Sequence, residues 1–113
     1  MIKNSAYTLS YVLTTFNKLP YLKEVMNHLL ENVKEDEEIV VVDGASTDGT
    51  TFYLQELFQQ KKIHQFISEP DKGEAHGFNK GILMVRGELI KILTDDDAYY
   101  YPNIEKCKQY MLA

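Results

Sequence analysis

The chain has 113 residues, 44% of them apolar and 26% charged, and a formal net charge of −5 at pH 7. That is the size and composition of one globular domain with a single modest core, and it excludes an intrinsically disordered chain. The negative balance argues against nucleic acid as the main partner but leaves nucleotides open, because local donors and metals hold those.

Residues 7–14 are a β-branched and aromatic run that predicts a first strand. Behind it, Leu19, Leu22, Val25, Met26, Leu29, Leu30 and Val33 recur at helical spacing and predict one apolar face. Residues 38–42 are continuously apolar after Glu38, as expected of a strand covered on both faces. A second helix is predicted after Asp48-Gly49, with Leu54, Leu57 and Phe58 inward. Residues 63–68 and 88–93 read as two weaker strands, separated by a third helix with Ala75, Phe78, Ile82 and Val85 on its apolar side. A last helix follows Pro102, a residue suited to a first helical turn. The order βαβαβαβα predicts a three-layer α/β/α, Rossmann-like domain over 1–113. Right-handed crossovers make its sheet largely parallel and gather the loops after the strands along one edge.

The single Cys107 excludes an internal disulfide, makes no metal site by itself and fits a reducing compartment; a buried or half-buried helix position is expected for it. No apolar run reaches the length of a membrane span, and Met1 to Ser5 lack the apolar segment of a signal peptide. A cytoplasmic chain is expected, peripheral to a membrane in a longer parent.

Four loops at the predicted edge carry residues suited to a nucleotide. Thr14-Thr15-Phe16-Asn17 offers hydroxyls, amides and an aromatic face for a base; the same residues also read as a helix cap and a core Phe. Asp43 stands at the tip of the second strand, with Ser46, Thr47 and Asp48 as turn and cap residues. In the third loop Gly73 and Gly77 permit close backbone approach, and Lys72 or Lys80 can neutralise a diphosphate or simply be solvated. His76 can bond a ligand or cap a helix turn; His28 and His64 have no ligand spacing. The fourth loop, Asp95-Asp96-Asp97, follows a buried strand. Its packed carboxylates call for a cation, a divalent metal with a phosphorylated ligand being the commonest; a solvated capping turn is the other reading.

Taken serially, these elements resemble family 2 glycosyltransferases of the GT-A fold. They are Thr15-Phe16-Asn17, the stretch from Val41 through Asp43 to Gly49, Gly73 through Asn79-Lys80-Gly81, Gly87-Glu88 and Asp95-Asp96-Asp97. The resemblance spans residues 9–102 and implies an incomplete GT-A fold: the donor-binding half of a transferase, truncated before its general base and acceptor pocket. It implies a nucleoside diphosphate sugar, UDP by family habit, an acceptor sugar, lipid or protein, and Mg²⁺ or Mn²⁺. Thr14, Thr15 and Phe16 are expected at the base, Asp43 at base or ribose, Lys72 at the diphosphate, Asp95 near the ribose, and Asp96 and Asp97 as metal ligands. Many relatives carry a second Asp where this chain has Gly44, and the register of the acidic motif is open between Asp95 with Asp97 and Asp96.

Two other classes fit parts of the chain. A response-regulator receiver has similar length and an acidic metal site, but has acidic residues after its first strand, where this chain has Thr14-Thr15-Phe16. A non-catalytic nucleotide-binding module differs only in whether further sequence supplies turnover. If another half normally covers this one, an exposed apolar surface and self-association are expected.

Overall fold

The computed structural model describes residues 6–113; the Met1 to Ser5 segment lies outside the described residues. Its elements run β1 (Tyr7–Thr15), α1 (Leu19–Asn32), β2 (Glu37–Asp43), α2 (Thr50–Gln59), β3 (Gln65–Ser68), α3 (Glu74–Met84), β4 (Gly87–Thr94) and α4 (Tyr101–Leu112). The alternation and all eight elements match the sequence expectation. The strands form one sheet in the order β3-β2-β1-β4, every pair parallel.

Alternation along the strands divides the interior into two layers. Leu9, Tyr11 and Leu13 of β1, Ile39 and Val41 of β2, and Leu93 of β4 join Leu22, Met26 and Leu29 of α1 and Leu54 of α2 in the main core. Tyr101 and Ile104 of α4 pack against the same cluster. The opposite face carries Val12, Val40 and Val42, all fully buried, and α3 crosses it over β1 and β2.

The packing face of α3 departs from the expected apolar stripe. Its buried residues are Gly77 and Gly81, whereas Ala75 is exposed and Ile82 is 39% exposed. A Cβ on Gly81 would stand 2.4 Å from Val12 Cγ1 and 3.3 Å from Val42 Cγ2. The helix therefore lies on the sheet through its backbone, and the larger side chains are displaced outward. Because α3 does not cover β4, Ile90 and Ile92 of that edge strand remain 43% and 40% exposed. Cys107, expected inside, is also exposed. Lys108 takes the buried position one residue on, its Nζ within 3.2 Å of Asp36 and Glu37 carboxylate oxygens. That ion pair ties α4 to the start of β2.

A carboxylate buried in the sheet is likewise paired. Glu38 accepts hydrogen bonds from Ser10 Oγ, the Arg86 N–H and side chain, and Gln65. Burial pushes its carboxyl up, and these donors outweigh that and hold it below the usual range. No helix among the described residues is long and apolar enough to cross a membrane.

Chain order and sheet order together fix where a ligand can sit. From β1 the chain passes through α1 to β2 on one side, and α3 later carries it from β3 across to β4 on the other. The crevice beyond the C-terminal ends of β1, β2 and β4 is thus the topological switch point of the sheet, the place where open α/β sheets bind ligands.

Candidate functional site

A cavity of about 560 Å³ occupies this crevice, a volume suited to a small-molecule ligand. Thr14, Thr15 and Phe16 enter it from the end of β1, Gly44 from β2, Pro70, Asp71, Gly73 and Glu74 from the β3–α3 connection, and Asp95 from the end of β4; Lys18 closes one side.

The β1 and β2 loops are fastened to each other. Asn17, in the left-handed region at φ 51°, receives the Thr47 N–H on its Oδ1 at 2.8 Å and donates its own N–H to Ser46 Oγ at 2.8 Å. Asp48 accepts the Leu19 N–H at the start of α1 and both the N–H and hydroxyl of Thr50 at the start of α2. One carboxylate from the β2 loop thus caps two helices, supplying the acceptor that neither Lys18 nor Gly49 provides at its own cap position. With both loops pinned, Phe16 projects outward and is 56% exposed, leaving a ring face open to the cavity.

Thr15 Oγ1 is buried and has no hydrogen-bond partner among the described residues. It lies near enough to Asp95 to favour that carboxylate's charged form without bonding it in good geometry. Asp95 itself is 7% exposed. Burial raises its pKa, opposed by Thr15 and Lys18. A buried hydroxyl without a partner beside a carboxylate whose pKa is raised is a polar arrangement that the packing of the fold alone does not explain.

Asp96 and Asp97 point elsewhere. They lie on the far side of the acidic turn with Tyr21, Glu24 and His28 of α1. Lys18 Nζ is 2.9 Å from Asp96 Oδ2 and 3.9 Å from Asp95 Oδ1. That hydrogen bond raises Lys18 and lowers Asp96 from their ordinary pKa values. Asp97 accepts from the Thr94 hydroxyl. No group of three or more His, Cys, Asp or Glu among the described residues converges to hold a metal by itself. The donors are nevertheless hard carboxylate oxygens, the type Mg²⁺ or Mn²⁺ takes when one or two carboxylates and substrate phosphates share the ion. The acidic turn fits such an ion in kind, and Lys18 supplies the neutralising charge.

Of the other expected residues, Asp43 lies beneath the cavity floor, fully buried. It accepts from the Ser46 N–H and hydroxyl, Thr51 Oγ1 and Ser68 Oγ. Its oxygens are saturated by its own fold. Lys72 is exposed and outside the cavity lining, its N–H donating to His76 Nδ1 at 2.9 Å. Lys80 braces the third loop through Glu69 and the Pro70 carbonyl. His64 accepts the Ile39 N–H on Nδ1, a structural bond far from the crevice. Four cavity residues are not singled out by the sequence: Lys18, which reads as solvated beside Asn17, and Pro70, Asp71 and Glu74 of the third loop, whose cavity neighbours are distant in sequence.

Comparison with known proteins agrees with this arrangement. The model of Glycosyl transferase family 2 matches residues 10–113. The chain is 27% identical over 104 residues to a putative teichuronic acid biosynthesis glycosyltransferase, TuaG, of Bacillus subtilis, covering 91% of this chain and 41% of that protein. It is 31% identical over 90 residues to glycosyltransferase GlyG of Streptococcus pneumoniae, covering 79% and 30%. The chain thus spans less than half the length of these relatives.

Among solved structures, the mannosyltransferase PcManGT of Pyrobaculum calidifontis, in complex with GDP-Man and Mn²⁺, superposes with a TM-score of 0.81 at 22% identity, covering 99% of this chain and 35% of that one. TarS 1–349 of S. aureus, in complex with UDP-GlcNAc, gives 0.78 at 21%, covering 92% and 31%. At these identities the superpositions speak for the fold alone, a parallel Rossmann-like GT-A sheet. With the family model matching nearly the whole sequence, the chain belongs to glycosyl transferase family 2.

Proposed function

We propose that the chain is the donor-binding part of a glycosyltransferase that takes a nucleoside diphosphate sugar, a UDP-sugar, and transfers the sugar to an acceptor hydroxyl. The observation that carries this reading is the cavity at the switch point, where an exposed aromatic ring and an ammonium group from the loop after β1 meet a buried carboxylate from the loop after β4. Phe16 offers a stacking face for the base, Thr14 and Thr15 offer hydroxyls, and Asp95 faces the ribose side. Asp43 acts from below by holding the Ser46 turn, and the exposed Lys72, one residue along the third loop from the cavity-lining Asp71, is the proposed diphosphate cation.

Asp96 and Asp97 are the carboxylates proposed to hold Mg²⁺ or Mn²⁺; in support, Asp96 already binds a cation, Lys18 Nζ, at the cavity's edge. Bound there, the ion supplies Lewis-acid neutralisation of the leaving diphosphate. Lys18, now paired with Asp96, would then be available as a positive charge for the phosphates. Likeness to proteins whose names or ligands involve teichuronic acid, UDP-GlcNAc and GDP-Man supports a role in building a cell-wall or other polysaccharide.

Calorimetric titration of UDP with Mn²⁺, then with EDTA, tests the reading, repeated on an Asp96→Ala/Asp97→Ala double variant. Binding that needs the metal and is lost in the variant is the expected result. A folded protein that binds no nucleoside diphosphate with Mn²⁺ present overturns it.

A further inference from the structure

A second cavity, of about 220 Å³, lies across the acidic turn from the first. Tyr21, Glu24 and His28 line it from α1, and Asp97, Ala98 and Tyr99 from the turn after β4. The three α1 residues follow at helical spacing and share one stripe of the helix. Glu24 and His28 are exposed, and His28 bonds within the fold through its carbonyl, toward Asn32, which leaves the ring to the cavity.

Exposed aromatic rings collect at the same edge of the sheet. Phe16 follows β1, Tyr21 and Phe52 lie in the first turns of α1 and α2, and Tyr100 immediately precedes α4; each is more than half exposed. Phe58 and Tyr110, also exposed, stand near the other ends of α2 and α4. Rings gathered in this way mark a contact surface. A bilayer and a saccharide both take such rings, and charge decides between them. Glu24, Asp96 and Asp97 line the cavity with no Lys or Arg, and the chain carries −5, so an anionic bilayer surface is repelled. A sugar ring has an apolar C–H face that stacks on the electron-rich face of Tyr21, and edge hydroxyls that donate to Glu24 and bond His28.

We infer that this cavity holds a neutral sugar unit of the acceptor, stacked on Tyr21 and hydrogen-bonded to Glu24 and His28. The inference rests on the glycosyl-transfer reading and adds the acceptor's class and docking place: an uncharged saccharide, because the same carboxylates repel a uronic acid or a phosphorylated chain. The position suits the role. An acceptor must reach the donor sugar from a side that the nucleotide leaves open, and Asp95 lines the first cavity while Asp96 and Asp97 line the second.

The experiment is NMR titration of the protein with tetrasaccharides of glucose, N-acetylglucosamine, galactose and mannose, and with tetragalacturonate. At least one neutral chain should shift the amides of Tyr21, Glu24 and His28, and tetragalacturonate should bind about tenfold less tightly or worse. Tyr21→Ala should weaken binding about 3-fold to 10-fold, the scale of one ring contact, while Tyr21→Phe stays within about twofold of wild type. Glu24→Ala should weaken it about 10-fold, as for one hydrogen bond to a charged group. These residues are exposed on α1, so the variants keep the fold, and Phe52→Ala should bind as wild type. UDP with Mn²⁺ should bind alongside the saccharide without displacing it.

Absence of α1 shifts with all four neutral chains overturns the inference, and so does wild-type affinity in Tyr21→Ala. A saccharide displaced by UDP and Mn²⁺ overturns it by placing the sugar in the donor cavity. Binding to phosphatidylglycerol vesicles that falls in Tyr21→Ala and Phe52→Ala alike, without saccharide shifts, makes the edge a membrane surface instead. Saccharide shifts in a protein that binds no nucleoside diphosphate overturn the donor reading, and the acceptor role with it, while the sugar site itself stands.

Discussion

Lys18 Nζ stands 2.9 Å from the carboxylate of Asp96, a residue 78 positions away in sequence. The adjacency of β1 and β4 makes the pair, since Lys18 follows one strand and Asp96 the other. Without a metal, this ammonium is the cation that lets three consecutive carboxylates share a turn. A divalent ion must therefore compete with it. Lys18→Met should bind Mn²⁺ alone more tightly than wild type at low salt, measured by the paramagnetic signal of free Mn²⁺. The difference should shrink as salt screens the exposed pair. Equal Mn²⁺ affinity at low salt would mean that the ion does not use Asp96.

Gly81 sets how closely α3 approaches the sheet. In Gly81→Ala the new methyl would overlap Val12 Cγ1 at 2.4 Å, and both partners belong to regular elements that cannot yield separately. Overpacking of this kind costs about 1–3 kcal/mol, against a gain of about 1 kcal/mol from replacing glycine within a helix. A net loss of up to about 2 kcal/mol in urea unfolding is expected. Gly77→Ala, with its nearest contact at 3.1 Å from Thr14 Cγ2, should lose less stability but push on the cavity wall. A stabilised Gly81→Ala protein would show that the helix can lift from the sheet.

These glycines mark where sequence reading reached its limit. The strands were legible because β-branched runs such as Ile39 to Val42 have few other uses, and α1 because its heptad-spaced residues face one core. For α3 the expected stripe holds only in part: Phe78 and Val85 are half-buried, but Ala75 and Ile82 are exposed and Gly77 and Gly81 take the buried positions, since close packing can select the absence of a side chain and periodicity counts only its presence. The site divides the same way. Thr15, Phe16 and Asp95 were visible because they adjoin strand ends, whose place in a parallel sheet is predictable. Asp71 lay hidden in a polar loop, and only the fold sets it against Gly44 and Phe16. Asp43 was correctly placed at a strand tip, but its four donors come from loops and elements up to 25 residues away.

His64 should govern stability just below neutral pH. Burial lowers its pKa, with Glu38 opposing and Arg86 assisting, and its Nδ1 must stay unprotonated to accept the Ile39 N–H at 2.9 Å. The unfolded chain therefore takes up the proton first, near pH 6.5. Stability is complete above that pH and declines as pH falls from it toward the lower folded value. Urea midpoints should fall over this window, by an amount near one hydrogen bond, about 1 kcal/mol. Asp36 and Glu38, whose folded pKa values are depressed, lose their contributions only below the ordinary carboxylate range, so the two windows separate. His64→Asn keeps an acceptor without the titration and should flatten the upper one. An unchanged slope would remove His64 as its cause.

Asp43 offers a test of whether a carboxylate at a strand tip touches the ligand or builds the place where the ligand sits. Ser46, Thr51 and Ser68 come from three different elements or loops and all donate to it, and none of its surface reaches the cavity. Asp43→Asn preserves shape but replaces one acceptor oxygen with a donor facing hydroxyls that must then reorient. Losing a buried charged acceptor of this kind costs about 1–3 kcal/mol, and urea unfolding should show it directly. UDP affinity of the folded fraction, measured at low temperature, should fall less than in the Asp96→Ala/Asp97→Ala variant, because Gly44 and Phe16 keep their places while the Ser46 turn loosens. The opposite pattern, full stability with UDP binding abolished, would make Asp43 a direct ligand contact and require the Ser46 turn to open when the nucleotide enters.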